Sequence, residues 1–85
     1  MRLRIRRRAK KELLDIDDDA TFFAVVKAIL DLEVNPRPRG YDNGQEEIYR
    51  IWVGLDWRVL YSINAERKEL VIEAVRKKGE GTYRR

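Results

Sequence analysis

The sequence predicts an α+β fold in which a helical hairpin packs on one face of a small antiparallel sheet. Three observations lead to this class. The chain opens with a short alternation of apolar and cationic residues, two helical segments follow, and three strand-like runs fill the second half. The predicted element order is β-α-α-β-β-β, within one domain over residues 1–85.

The first strand and the first helix are recognised by the different spacing of their apolar residues. Leu3 and Ile5 alternate with arginines, which is the two-residue period of a half-buried strand. From about residue 8 the period becomes helical, and Ala9, Leu13 and Ile16 share one apolar face.

A second helix is predicted over about residues 20–33, after an acidic run at residues 17–19. Aspartates suit a helix N-terminus, both as capping residues and because of the helix dipole. Its apolar residues recur at three- and four-residue steps, and we expect them to be buried together: Phe22, Phe23, Val26, Ile29, Leu30 and Val34.

Prolines at residues 36 and 38 end the second helix, because the residue before a proline disfavours the helical conformation. Residues 42–44 have the composition of a turn. Strand-like runs then cover about residues 47–53, 57–63 and 69–75, joined by connections of hairpin length.

The charge distribution is uneven. The chain has 19 Lys and Arg against 15 Asp and Glu, a net charge of +4. Residues 1–11 hold seven cations and no acid, and residues 76–85 hold five cations and one acid. Two basic ends on a small fold favour a polyanionic partner such as nucleic acid or an acidic protein; the alternative is a charged surface that serves only solubility.

The absence of cysteine and histidine excludes several classes of site. Disulfides, thiolate metal sites and imidazole acid–base catalysis cannot occur. No apolar run approaches the ~20 residues of a membrane-spanning helix, and the N-terminus lacks an apolar leader. We therefore expect a soluble cytoplasmic protein with no membrane association.

Two arginines are expected at mid-strand on the less apolar faces. Arg50 shares a face with Trp52 in the first strand of the meander, and Arg58 lies on the corresponding face of the next strand. Such arginines are either solvated outer-face residues or members of a cationic site built on the sheet.

Several segments together resemble the RelE/ParE toxin superfamily, in the expected order along nearly the whole chain. They are residues 8–13 (RAKKEL), 35–40 (NPRPRG), 48–54 (IYRIWVG), 57–61 (WRVLY), 75–78 (VRKK) and the tail pair Tyr83-Arg84. The resemblance implies a small toxin of a type II toxin–antitoxin system, neutralised by an antitoxin that wraps around it.

Two activities are implied by this superfamily. RelE-like members cut messenger RNA in the ribosomal A site, without a metal or other cofactor. ParE-like members instead poison DNA gyrase. We expect an mRNA endonuclease that has the ribosome, mRNA and an acidic antitoxin as partners; a gyrase inhibitor without nuclease activity, or a degenerate member that binds only its antitoxin, are the alternatives.

Carrying over the RelE-type site gives a mixed match on the central strands. Arg50 matches the first residue of a basic pair, whereas Trp52 occupies the second position, which is a departure from the pattern. Arg58 matches the arginine of the following strand. Trp52 suits stacking on an RNA base, or an apolar contact with antitoxin or gyrase.

The match continues at the C-terminal end. Lys78 best matches the basic residue after the last strand, with Arg76 and Lys77 in reach of that register, and Tyr83 matches the tail tyrosine. The resemblance thus implies a catalytic set of Arg50, Arg58, Lys78 and Tyr83. The expected RNA-binding set is Arg2, Arg4, Arg6, Trp52, Arg76 and Lys77.

Each of these residues also has a purely structural interpretation. The central arginines suit an open sheet face, Lys78 a solvated tail, and Tyr83 tail packing. The row of Arg2, Arg4 and Arg6 suits either a phosphate-facing ridge or a charged edge strand that resists edge pairing.

RNA cleavage by 2′-hydroxyl attack is chemically feasible without histidine. Arginine stays protonated and serves as a bidentate clamp on phosphate oxygens. Lysine and tyrosine ordinarily have pKa values near ~10, and clustered cations lower the pKa of a neighbouring lysine or tyrosine towards the value that acid–base catalysis needs. Tyr83 is then a candidate for the general base or for stacking on or orienting an RNA base. Lys78 is a candidate for the general acid or for a further phosphate clamp, with the ribosome aligning the RNA.

Overall fold

Two helices lie against one face of a five-stranded sheet in the computed structural model, which confirms the predicted α+β class. The structure describes residues 1–37, 42–45 and 48–78, and for 42–45 it describes the backbone alone. The helices are α1 (Arg7–Leu14) and α2 (Asp19–Val34). The strands are β1 (Arg2–Ile5), β2 (Asp42–Gln45), β3 (Ile48–Val53), β4 (Trp57–Asn64) and β5 (Glu69–Lys77).

The sheet is mixed, so the prediction of an antiparallel sheet is wrong at one edge. The strand order is β1-β5-β4-β3-β2, and β3, β4 and β5 form the predicted antiparallel meander. β1 instead runs parallel to β5, with Leu3 beside Leu70 and Ile5 beside Ile72. Parallel pairing requires a long crossover. Here both helices and three strands separate the two partners, so no local turn specifies their relative direction.

Residues 42–44, predicted as a turn, belong instead to the edge strand β2. This strand pairs antiparallel with β3, and Asp42 lies opposite Arg50. The register shifts between Asn43 and Gln45. A short edge strand with such an irregularity tolerates a polar, glycine-containing sequence, which is why its composition resembles that of a turn.

The acidic run caps α2, as predicted. The carboxylate of Asp18 accepts hydrogen bonds from the hydroxyl and the backbone N–H of Thr21, at 2.6 and 2.9 Å. Both hydrogen bonds, and chiefly the one from the hydroxyl of Thr21, hold the pKa of Asp18 below its ordinary value. Neither helix in the described part of the chain is long and apolar enough to span a membrane.

The face that α2 buries is rotated from the predicted one. Its buried residues are Val25, Ile29 and Leu32, with Phe22 and Val26 partly buried against the core. The residues that were predicted as buried but are exposed are Phe23, Leu30 and Val34. Apolar residues surround most of this helix, so three- and four-residue spacing fits more than one stripe and does not select the buried one.

Glu73, in the middle of β5, is hydrogen-bonded to Arg6, which follows β1, and to Ser62 of β4. Its carboxylate accepts a hydrogen bond from Nε of Arg6 at 2.8 Å and one from the hydroxyl of Ser62 at 2.7 Å. Burial by itself raises the pKa of Glu73, but the hydrogen bonds from Arg6 and Ser62, with the charges of Arg6 and Arg8, outweigh burial. The pKa of Glu73 therefore lies below its ordinary value.

Glu73→Gln should lower the free energy of unfolding at neutral pH by about 1 kcal/mol, because it removes the negative charge that strengthens the hydrogen bond from Arg6. A depressed folded-state pKa stabilises the fold above the unfolded-state pKa, and this contribution disappears as the pH falls through the folded-state pKa. The difference between wild type and variant should therefore shrink on acidification. Urea unfolding of both proteins between about pH 7 and about pH 3 measures this difference in the free energy of unfolding. A difference that does not change with pH would show that the charge of Glu73 does not stabilise the fold.

Candidate functional site

Trp52, Arg58 and Arg76 lie side by side on β3, β4 and β5. Trp52 is directly opposite Arg58, and Arg58 is directly opposite Arg76. Side chains alternate between the two faces of a strand, and the adjacent Val59 and Val75 belong to the core under the helices. The register therefore places the three residues in a row on the other face of the sheet, which we call the open face; α1 reaches only the Arg76 end of this row.

Arg58 is at the centre of this row. Its guanidinium carbon lies 6.0 Å from the ring centroid of Trp52, within range of a cation–π interaction. Its Nε is buried and has no hydrogen-bond partner among the described residues. The side chain as a whole is only half-buried, so its guanidinium group remains available to an external acceptor such as a phosphate oxygen.

Arg76 lies at the end of the row, where its side chain contacts α1 and lines a small groove with Glu12 and Trp57. Glu12 Oε2 lies 3.5 Å from Nε of Arg76, and Glu12 Oε1 accepts a hydrogen bond of 2.8 Å from the backbone N–H of Val75. Like charges directly opposite each other on adjacent strands destabilise a sheet, and Glu12 offsets part of this cost for Arg58 and Arg76. Sequence reasoning missed Glu12; the available signal was that it is the only acid among residues 1–14.

A register irregularity explains why Arg76 reaches the open face. Tyr61 pairs with Ile72, whereas Leu60 pairs with Ala74, so Glu73 is an additional residue in β5. One inserted residue reverses which side chains face the core beyond it. Without the bulge, Arg76 would share the face of Ile72 and point towards the helices.

The other predicted catalytic residues have different positions. Arg50 lies on the open face one row away from Arg58, opposite Leu60, and diagonal neighbours of this kind are about 7–8 Å apart. Lys78 follows β5 immediately, and its backbone N–H donates to the carbonyl of Asp56. Tyr83 lies outside the described residues.

Lys77 does not join the row. It pairs with Trp57 in the sheet and lines a depression of about 390 Å³ on the helix side, together with Asp15, Asp17 and Asp18. The structure therefore separates the two neighbouring cations, with Arg76 on the open face and Lys77 on the opposite face.

The N-terminal arginines lie on the edge strand β1, away from the row. Arg4 forms an ion pair with Glu69 at 3.9 Å, and Arg6 forms one with Glu73 at 2.8 Å. Arg4 is level with Val71, five residues from Arg76 along β5, which is about 16 Å at the rise of a strand. Two of the three predicted ridge cations are thus paired within the fold, and Arg2 is exposed.

The arrangement suits the binding of a nucleic-acid phosphate with a neighbouring base. Arginines donate in a planar fork that matches phosphate oxygens, and the exposed ring of Trp52 offers a stacking surface beside them. Within the described part of the chain, no group of three or more metal-ligating side chains comes together. The chemistry that these residues offer is electrostatic stabilisation of a phosphoryl group.

Comparison with protein families gives a match over residues 3–80 to the family described as ParE toxin of type II toxin–antitoxin system, parDE. Comparison with curated proteins gives no match.

Solved structures of toxins with similar folds cover most of this chain. The RelBE2 toxin–antitoxin complex of Mycobacterium tuberculosis aligns with a TM-score of 0.77 at 23% identity, over 91% of this chain and 96% of that chain. The RelE–RelB complex of Pyrococcus horikoshii aligns with a TM-score of 0.74 at 27% identity, over 92% and 94%. The isolated Escherichia coli RelE toxin aligns with a TM-score of 0.75 at 20% identity, over 91% and 83%. The fold of helices on a mixed sheet is shared with these structures.

Proposed function

Because the chain belongs to the ParE toxin family of type II toxin–antitoxin systems, within the RelE/ParE superfamily, we propose that it is a toxin that cleaves messenger RNA on the ribosome. The observation that carries this proposal is the row of Trp52, Arg58 and Arg76 on the open face. Two arginines opposite each other beside an exposed tryptophan favour a ligand with both phosphate and base.

Cleavage would proceed by attack of the 2′-hydroxyl oxygen on the adjacent phosphorus. A bond from that oxygen to phosphorus forms, the bond from phosphorus to the 5′-oxygen breaks, and a 2′,3′-cyclic phosphate results. A base takes the 2′-hydroxyl proton, and an acid protonates the departing 5′-oxygen. We assign the base to Tyr83 and the acid to Lys78, following the pattern of the superfamily.

The arginines stabilise the charge that develops on the phosphorane. The guanidinium of Arg58 is half-buried and lies beside the ring of Trp52, so a hydrogen bond from it to a phosphate oxygen carries little reorganisation cost. Arg76 binds a second oxygen, held in place by Glu12. Arg50, one row away, contacts the neighbouring phosphate or the same one from the side.

Trp52 binds the base next to the scissile phosphate. Its ring is exposed, and the guanidinium of Arg58 lies over it. Stacking accepts every base, so Trp52 confers affinity without strict sequence preference. The ribosome supplies the remaining alignment of the mRNA.

An antitoxin is the inferred protein partner, as in the RelE–RelB complex of Pyrococcus horikoshii and the RelBE2 complex of Mycobacterium tuberculosis. An acidic segment of such an antitoxin would neutralise the cationic open face and thereby block access of RNA. The chain would act in the cytoplasm, where the ribosome and mRNA are found.

Inhibition of DNA gyrase is the second candidate, and Trp52 is the observation that favours it. This position carries a basic residue in the RelE-type pattern, whereas here it carries an exposed aromatic ring suited to an apolar protein contact. The family match to ParE toxins points the same way.

Induced expression of the full chain separates the two candidates. We expect growth arrest with transcripts cut inside translated regions, because the proposed enzyme acts only on mRNA that the ribosome holds. Sequencing of RNA 5′ ends after induction measures this, with uninduced cells as the control. Intact transcripts accompanied by double-strand DNA breaks would contradict the nuclease and support gyrase inhibition.

A further inference from the structure

The outward face of α2 carries a stripe of large apolar residues. Phe23, Leu30 and Val34 are 65%, 50% and 87% exposed. Their spacing of seven and four residues places them on one side of the helix, opposite the buried Val25 and Leu32, along about 16 Å of its length. A helix that is apolar on both sides is usually covered on both sides, and a contiguous exposed apolar surface commonly marks an interaction site.

The apolar surface continues past the N-terminal end of the stripe. Ala20 and Ala24, on the side of α2 next to the stripe, line a groove of about 270 Å³ with Val53 and Leu55 of the β3–β4 hairpin. Leu55 is 88% exposed at the rim of this groove. The surface from Leu55 to Val34, which we call the α2 surface, is long enough for several turns of a partner helix.

The charges around the α2 surface are predominantly negative. Residues 17–34 carry five carboxylates and one lysine, in a chain with a net charge of +4. The single lysine, Lys27, is paired with Asp31 at 3.2 Å. Asp19 and Glu33 border the stripe on the other side, and Asp56 lies in the hairpin groove. The charge of the α2 surface is thus opposite to that of the open face.

We propose that the α2 surface binds a partner protein through an amphipathic helix with cationic flanks. The apolar residues of that helix, at three- and four-residue spacing, would pack against Phe23, Leu30 and Val34 in the helix-in-groove mode. Its lysines or arginines would meet the carboxylates along the rim. Because α2 lies on the opposite side of the sheet from Trp52 and Arg58, this partner leaves the open face accessible.

Two synthetic helical peptides test the proposal with the full-length protein. One has leucines at three- and four-residue steps flanked by lysines; its twin carries glutamates in place of the lysines. We expect the lysine peptide to bind at least about tenfold more tightly in fluorescence anisotropy. Non-specific attraction to a protein of net charge +4 would make the glutamate peptide bind more tightly. Tighter binding of the lysine peptide would therefore be specific to the α2 surface.

Substitutions of two exposed leucines locate the binding surface. Leu30→Ser should weaken binding of the lysine peptide about tenfold, whereas Leu14→Ser, at a 62% exposed residue of α1, should leave it unchanged. Equal affinity of the two peptides, or equal effects of the two substitutions, would overturn the proposal. Self-association of the chain in sedimentation, abolished by Leu30→Ser, would overturn it in favour of a second copy as the occupant.

Discussion

Arg58→Ala should lower the rate of mRNA cleavage on programmed ribosomes by on the order of a hundredfold, a loss of about 2–4 kcal/mol of transition-state stabilisation. The effect is large because Arg58 lies at the centre of the row, with its half-buried guanidinium held beside Trp52 before any ligand arrives. Single-turnover cleavage measures the chemical step. Circular dichroism should show an intact fold, since Arg58 is not a core residue.

Companion variants distinguish geometry from charge. Arg58→Lys should recover only part of the rate, because an ammonium cannot reproduce the bidentate contacts of a guanidinium. Arg7→Ala removes the same charge from the exposed surface of α1 and should leave the rate unchanged. Arg50→Ala should cost less than Arg58→Ala, since Arg50 lies one row away and its basic neighbour is replaced by Trp52.

The tail tyrosine gives a separate readout. We expect Tyr83→Phe to lower the rate, because the general base is assigned to the hydroxyl of Tyr83; full retention of the rate would leave only stacking or packing as its role. Wild-type rates in a folded Arg58→Ala variant would refute the site on the open face.

Tyr61→Ala should lower the free energy of unfolding by about 3–5 kcal/mol, a large fraction of the stability of so small a protein. Tyr61 is fully buried beneath the helices, and its ring centroid lies 5.6 Å from that of Tyr49. Its hydroxyl donates a 2.8 Å hydrogen bond to the carbonyl of Pro36 and so attaches the end of the helical hairpin to β4. Urea unfolding measures the loss.

A graded series checks the origin of this effect. Tyr61→Phe removes only the hydroxyl, and with it the hydrogen bond to Pro36, and should cost about 1 kcal/mol. Leu14→Ala, at an exposed residue, should stay within about 0.5 kcal/mol of wild type. If Tyr61→Phe were as costly as Tyr61→Ala, the hydrogen bond to Pro36 would dominate, and the packing account of this residue would be wrong.

Strand alternation sufficed to predict part of the arrangement of the candidate site. Arg50, Trp52 and Arg58 were expected on the less apolar faces of adjacent strands, and the pairing of β3 with β4 brings Trp52 and Arg58 together there. The position of Arg76 was not predictable in this way, because it depends on the bulge at Glu73. A charged residue inside an apolar run was the visible sign of that bulge, but alternation by itself assigns no register.

Features that depend on contacts between distant parts of the chain could not be predicted from the sequence. The parallel pairing of β1 with β5 and the contact of Glu12 with Val75 and Arg76 join residues more than 60 positions apart. The buried stripe of α2 depended on which of its two apolar sides met the sheet. Phe23 and Leu30 satisfied the helical period equally well, and only packing against β3, β4 and β5 placed them outside.

The most direct test of the proposed activity is incubation of the purified protein with ribosomes that hold a defined mRNA, with the same RNA free in solution as the control. We expect cleavage of the ribosome-bound mRNA in the A site, leaving a 2′,3′-cyclic phosphate, and little cleavage of the free RNA. Intact mRNA on the ribosome, with loss of gyrase supercoiling activity in a parallel reaction, would contradict it.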